Sequence, residues 1–228
     1  MLGLSKAVLL FLGLIALAGC AYGKFHVTIN RNKSADLDYL MTVDSSVFSI
    51  SGDFFGEMKA SAIKEGFDVT GYKKGGMIGF RARKHIKDLR ALPDFKESII
   101  RFKRGKKALF VKKGIFSDAY LFNTNIDLSY ALGKGESGPD RAIRSHIHLQ
   151  FLLTMPGKIG KNNADVVEEG TRTLIWNLAH GRENGIQAEA SVPNITNIIV
   201  IALLLIFLGW YLVNSILTMR RRAGFRNN

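Results

Sequence analysis

The feature that most constrains the fold is an uncharged apolar segment near the C-terminus. Residues 198–217 read IIVIALLLIFLGWYLVNSIL, twenty residues without a charge. At about 1.5 Å per residue, a helix of this length is about 30 Å long, which matches one hydrocarbon core. Three arginines follow at 220–222, and positive residues favour the cytoplasmic side of a membrane. We therefore predict a transmembrane helix over 194–219 and a basic cytoplasmic tail over 220–228.

The N-terminus has the layout of an export signal. Lys6 precedes the apolar run 7–18, which is too short to span a bilayer comfortably, since about 20 residues are needed. The sequence LAGC then ends at Cys20, which is the single cysteine of the chain. This ending resembles a bacterial lipobox, in which the cysteine is acylated, with palmitate for example, and becomes the mature N-terminus. The alternative is an ordinary signal peptide that contains a cysteine by chance.

We therefore predict a lipoprotein signal peptide over 1–19, which includes the signal helix, and a lipidated Cys20. Residues 20–193 would form one extracytoplasmic domain on a bacterial cell membrane. Residues 21–193 carry 27 of the 32 bases and all 19 acids, a basic balance that falls short of a nucleic-acid-binding arm. A single cysteine excludes a disulfide framework and a cysteine zinc cluster.

The domain has the sequence pattern of an α+β fold, a single antiparallel sheet-rich ectodomain with one main helix. Alternating apolar residues predict a first hairpin from strands 24–30 and 35–43. Helical spacing over Asp53–Glu65 predicts the helix, with Ser51 or Asp53 as its N-cap. Further strands are predicted over 67–72, 77–84, 119–131 and 144–155, with a hairpin of 98–103 and 107–111 and a final pair of 171–178 and 186–192.

Residues that could carry catalysis are few. The sequence GKGESG over 133–138 has the spacing of a phosphate-binding loop, but Pro139 and a strand follow it instead of a helix. His146 and His148 share a strand face, yet no third zinc ligand stands at a recognisable spacing. No nucleophile, base and oxyanion donor assemble. We expect no enzyme activity, no metal and no cofactor.

A basic stretch is the candidate surface site. Between Glu97 and Asp118 there are seven bases and no acid, interleaved with apolar residues. Bases of this kind can hold anionic head groups, and a solvated hairpin face is the alternative. Nucleic acid is not an expected partner of an extracytoplasmic domain. The candidate contacts are Arg101, Lys103, Arg104, Lys106, Lys107, Lys112 and Lys113.

The order of motifs resembles the LppM-like bacterial lipoproteins. HVTINRNKSADLDYLMTVD follows the lipobox, and EGFDVTGYKKGGMIGFRARK follows the helix. LLTMPGKIGKNNADVVEEGTRTLIWNL and IQAEAS come next, before the apolar helix and the arginines. The similarity covers residues 24–193 and both anchors. It implies an extracytoplasmic α+β domain, associated with lipid or glycolipid binding at the cell envelope and without established enzymology.

Two functions are compatible with these observations. The first is a membrane-anchored module that binds an envelope lipid or glycolipid, and the second is an interaction or scaffold subunit of an envelope membrane complex. A sheet that packs around one helix can enclose an apolar cavity, and the alternative is that the same residues form an ordinary filled core. The candidate cavity residues are Leu37, Tyr39, Phe54, Phe55 and Met58.

Overall fold

The computed structural model of the protein describes residues 21–89, 101–102, 108–128 and 147–224. The strands are β1 Ala21–Ile29, β2 Ala35–Asp44, β3 Asp68–Lys74, β4 Met77–Ile86, β5 Arg101–Phe102, β6 Leu109–Lys112, β7 Ser117–Asp127, β8 Ile147–Thr154, β9 Lys158–Asn162, β10 Val166–Glu168, β11 Thr173–Leu178 and β12 Glu183–Pro193. The helices are α1 Ser45–Lys64 and α2 Ile195–Gly224. This confirms a sheet-rich α+β fold with one main helix and an apolar C-terminal helix. The predicted signal peptide, Cys20 and the 133–138 loop lie outside the described residues.

The strands form two sheets. The large sheet has seven strands in the order β10-β11-β8-β1-β2-β4-β3. The small sheet has the order β5-β7-β12-β9, and β6 also pairs with β7. Neighbouring strands are antiparallel except β1 and β8, which pair in parallel from Ala21↔Ile147 to Thr28↔Thr154. The predicted β1–β2 hairpin is confirmed, with Ala21 opposite Val43 and Ile29 opposite Ala35.

The core lies where the inner faces of the two sheets meet, and α1 closes one side of it. Phe151 of the large sheet stacks on Phe25 at 5.8 Å and on Phe122 of the small sheet at 6.1 Å between ring centroids. A second row of rings leads to the helix: Phe55 of α1 meets Phe80, which in turn meets Tyr39. Every second residue of β1 is buried, because side chains alternate between the faces of a strand.

Helix α1 begins at Ser45, so the prediction of a start near Asp53 is wrong. Its N-cap is Asp44, whose side chain accepts a hydrogen bond from the Ser46 backbone N at 2.9 Å. Serines and a glycine dominate the first turns. Because these residues have low helix propensity, the sequence pattern did not predict a helix before Asp53. The helix ends at Lys64, close to the predicted end.

Two predicted strand pairings are also wrong. Strands β5 and β6 do not pair with each other, because both lie antiparallel to β7 along one edge of it. The observed hairpin joins β6 to β7 through residues 113–116. The predicted final pair is split between the sheets: β11 pairs with β8, whereas β12 pairs with β7 and β9.

Among the steps by which the chain passes from one sheet to the other, those that follow β8 and β9 are each three residues long. At the first, a Cβ on Gly157 would stand only 2.7 Å from the carbonyl carbon of Ser191 in β12, so only glycine fits without a shift. At the second, the Asn163 Oδ1 atom accepts hydrogen bonds from the Gln187 backbone N at 2.8 Å and from Trp176 Nε1 at 3.0 Å. Asn163 therefore ties β12 of the small sheet to β11 of the large one.

Candidate functional site

The outer face of the large sheet carries an open groove of about 560 Å³. It faces away from the core, because it is built from the alternate residues of β1 that point outward and from their neighbours on β8, β10 and β11. Leu152 and Ile175 supply apolar surface along the groove. Its main polar lining residues are Lys24, His26, Gln150, Thr154, Glu168 and Thr173.

A row of hydrogen bonds crosses three strands in this groove. His26 Nε2 lies 2.8 Å from Thr154 Oγ1, which lies 2.7 Å from Thr173 Oγ1. The register explains the row, because Thr154 stands opposite Thr173 on β11 and next to Thr28 on β1. Burial, together with the positive charge of Lys24, lowers the pKa of His26. Both effects favour the neutral imidazole, which can donate one hydrogen bond and accept another.

A second hydrogen-bonded set extends the groove along the same strands. The Tyr22 hydroxyl donates to Gln150 Oε1 at 2.6 Å, and Gln150 Nε2 donates to Asn177 Oδ1 at 2.9 Å. The ring of Tyr22 also stacks on His148, with centroids 5.9 Å apart. His148 is thus engaged in ring stacking, and its neighbour His146 lies outside the described residues.

Side chains of β4 engage the two carboxylates that β2 places on this face. Asp36 is hydrogen-bonded to His85 Nδ1 at 2.7 Å and to Asn30, and the bond to His85 lowers the pKa of Asp36. Asp38 accepts two hydrogen bonds from Arg81, one of them from Arg81 Nε at 2.7 Å. Within the described part of the chain, no group of His, Cys, Asp and Glu could hold a metal ion.

Four of the five predicted cavity residues have described side chains, and these belong to the core or pack against it. Leu37, Tyr39 and Phe55 are buried, and Met58 is half-buried against them. The side chain of Phe54 lies outside the description. The Tyr39 hydroxyl is buried without a hydrogen-bond partner, and burial raises the pKa of Tyr39. An apolar cavity beside these residues stays a prediction.

Three of the seven predicted basic contacts lie in the described part of the chain, along one edge of the small sheet. Lys112 ends β6, Lys113 begins the turn to β7, and both are exposed. Arg101 lies in β5, but its side chain is not described. Residues 103–107 fall in a gap of the description, so head-group contact by Lys103, Arg104, Lys106 and Lys107 stays a prediction.

The groove was not predicted from the sequence. Its residues come from β1 and from β8, β10 and β11, which follow β1 by more than a hundred positions. Only the parallel pairing of β1 with β8 brings the two sets together. One available signal was the outward alternation of Lys24, His26 and Thr28 in the first strand. Polar residues at those positions are equally typical of an ordinary solvated face.

Comparison with known proteins identifies the family. The chain is similar to the folded domain of the LppM protein of Mycobacterium tuberculosis, solved by NMR. That similarity has a TM-score of 0.45 and 13% sequence identity, and it covers 79% of this chain and 94% of the other. A search of curated proteins gave no match. The sequence model of the LppM domain matches residues 24–192, which is more than half of the chain, and the protein therefore belongs to the LppM family.

Proposed function

We propose that this protein is an envelope protein whose extracytoplasmic domain binds the head group of a lipid or glycolipid and catalyses no reaction. Two observations support its placement at a membrane. It belongs to a family of bacterial lipoproteins, and residues 195–217 of α2 form a stretch long and apolar enough to cross a bilayer. In this proposal α2 spans the membrane, the domain lies outside, and the tail 220–228 is cytoplasmic.

The groove on the large sheet is the observation that carries the binding proposal. A sugar ring or a polyol offers hydroxyls at its edge and apolar C–H groups on its face. Thr154, Thr173 and Gln150 supply hydroxyl and amide groups, while Leu152 and Ile175 supply apolar contact. Binding sites of this kind combine apolar lining with a few placed polar groups. The volume of about 560 Å³ has room for a head group of one or two rings.

The electrostatics of the groove also suit an uncharged, hydroxyl-rich ligand. The neutral imidazole of His26 can accept a hydrogen bond as readily as donate one. Each threonine hydroxyl in the row has one donor and two acceptor positions, so the row keeps capacity for a ligand. Lys24 and Glu168 stand at the groove with opposite charges, which is compatible with a head group of low net charge.

The test is native mass spectrometry of the full chain after exposure to an envelope lipid extract. The protein is released from detergent micelles, and the mass of any bound molecule is read directly. We expect Thr154→Val to reduce the bound fraction several-fold, because it removes the central hydroxyl and keeps the side-chain shape. The matched control is Thr70→Val, on an exposed position of β3 in the same sheet.

The outcomes separate the alternatives. Loss of binding in Thr154→Val with retention in Thr70→Val supports the groove as the site. Equal binding by both variants and the wild type moves the site elsewhere, with the core around Tyr39 as the next location to test. The absence of any adduct from the wild-type protein would reject the binding function.

A scaffold role is the second candidate function, and one observation favours it. Strand β10 forms an edge of the large sheet, and Val166 and Val167 are exposed there. An edge strand presents unpaired backbone groups that can accept a strand from another protein. Under this alternative, the protein co-purifies from detergent extracts with a stoichiometric protein partner, and Val167→Lys releases that partner.

A further inference from the structure

The junction between the domain and α2 leaves almost no free chain. Asn194 alone separates the end of β12 at Pro193 from the first residue of α2. Strand β12 remains paired with β7 up to this point, with Pro193 opposite Ser117. The Asn194 backbone N then donates to the Phe116 carbonyl O at 2.9 Å. The turn that precedes β7 is therefore held level with the first turn of α2.

That turn, residues 113–116, exposes apolar side chains. Ile115 and Phe116 are each 64% exposed. The turn is tightly built: a Cβ on Gly114 would overlap the Ser117 carbonyl group, and the Gly114 N donates to Asp118 Oδ1 at 3.2 Å. Water is a poor solvent for two neighbouring large apolar side chains, so a surface of this kind indicates a contact that covers it.

Basic side chains surround the same end of the domain. Lys112 and Lys113 are exposed beside the turn. Lys158 is exposed at the start of β9, opposite Ser191 and close to the end of β12. On the other sheet, the carbonyl O of Arg31 accepts a hydrogen bond from Tyr120 at 2.6 Å, which brings the exposed Arg31 to this end as well.

We infer that this end of the domain rests on the lipid bilayer, with Ile115 and Phe116 immersed in the interfacial layer beside the first turn of α2. Lys112, Lys113 and Lys158 then face the anionic head groups. The inference rests on the proposed membrane span of α2, because a spanning helix that begins at Ile195 puts the bilayer boundary at the level of Asn194. Apolar side chains flanked by bases are the composition that interfacial anchors use.

The test measures the immersion depth of nitroxide labels by electron paramagnetic resonance. The full chain carries Cys20→Ala and one new cysteine, and it is reconstituted in nanodiscs of phosphatidylcholine and phosphatidylglycerol. Oxygen concentrates in the hydrocarbon, whereas a water-soluble nickel complex is excluded from it. We expect the ratio of oxygen to nickel accessibility to be several-fold higher for Phe116→Cys than for Phe110→Cys.

Phe110 is a matched control because it is also a phenylalanine of the β6–β7 hairpin and is 60% exposed. Its partner in the pairing is Leu121, which places it farther from the bilayer boundary than Phe116. Equal nickel accessibility at 116 and 110 would overturn the inference. Low access to both oxygen and nickel at 116 would also overturn it, because a protein partner or a second copy then covers the turn.

A label within α2, at Leu205→Cys, separates this inference from the proposed function. If that label is inaccessible to nickel while the label at 116 is accessible, α2 spans the membrane and only the docking of the turn is wrong. If the label in α2 is itself accessible to nickel, the membrane span fails, and with it the basis of the inference. In the same anionic nanodiscs, we also expect the double variant Lys112→Gln and Lys113→Gln to lower the ratio of oxygen to nickel accessibility at residue 116. An unchanged ratio would reject the contact of these lysines with the anionic head groups.

Discussion

Gly157 is the position where a single methyl group tests the link between the two sheets. In Gly157→Ala the new Cβ would lie 2.7 Å from the Ser191 carbonyl carbon and 2.8 Å from Val192 Cγ2. Carbon atoms in contact prefer about 3.5–4.0 Å, so β12 or the step after β8 must move by about 1 Å. Because the obstacle is backbone of a paired strand, we expect a loss of about 1–3 kcal/mol in the free energy of unfolding.

A loss of this size lowers the melting temperature by about 2–12 °C for a domain of this length. The assay is thermal unfolding of the full chain in one detergent, followed by near-ultraviolet circular dichroism. Gly160→Ala is the control, because its Cβ would meet nothing closer than 3.6 Å. Both substitutions reduce the conformational freedom of the unfolded chain, so the difference between them isolates the steric term. Equal melting temperatures for the two variants would refute the assigned role of Gly157.

Two further predictions concern polar groups inside the domain. Burial lowers the pKa of His26 below its ordinary 6.5. As the pH falls, the unfolded chain therefore takes up a proton at a higher pH than the folded chain does. The contribution of neutral His26 to the free energy of unfolding is fully present above its ordinary pKa and decreases as the pH falls toward the folded pKa. We expect His26→Gln to flatten the fall in melting temperature between about pH 7 and about pH 5, and an equally steep fall in the variant would contradict the assignment. The Tyr39 hydroxyl has no partner, so we expect Tyr39→Phe to leave stability unchanged or to raise it by about 1 kcal/mol, whereas Tyr120→Phe, which removes a 2.6 Å hydrogen bond, costs about 0.5–1.5 kcal/mol. A loss in Tyr39→Phe equal to that in Tyr120→Phe would mean that the Tyr39 hydroxyl binds something in the isolated protein.

The elements that the sequence predicts best are those whose two faces meet different surroundings. Strands β1 and β2 alternate between buried and outward residues, and turn-forming residues join them, so both the strands and their pairing could be predicted. Strands β9 and β10 are short and mostly exposed. They lack an apolar alternation, and no pattern in the sequence distinguishes them from loops.

Pairings between distant segments could not be predicted in the same way. Adjacent strands in the chain suggested a pair of β11 with β12, yet Trp176 of β11 stands beside Phe151 of β8, and its indole donates to Asn163. Burying this side chain in the core requires β11 to join the large sheet. The choice depends on the complementary shape of residues far apart in sequence, which a single sequence does not reveal. The groove depends on the same long-range pairing and was missed for the same reason.

The register of β1 also bears on how the chain is attached at its N-terminus. Ala21 follows Cys20 directly and pairs with both Val43 and Ile147, so β1 is fixed in the large sheet from its first residue. Its other end, at Ile29, leads into the turn near Arg31, which lies at the same end of the domain as Asn194. Nine residues of strand span about 26 Å, and Ala21 is therefore at the end remote from α2. If α2 spans the membrane as proposed, the first residue of β1 lies at the end of the domain that faces away from that membrane. Under the proposed membrane span, α2 would hold the domain at the bilayer whether or not Cys20 is acylated.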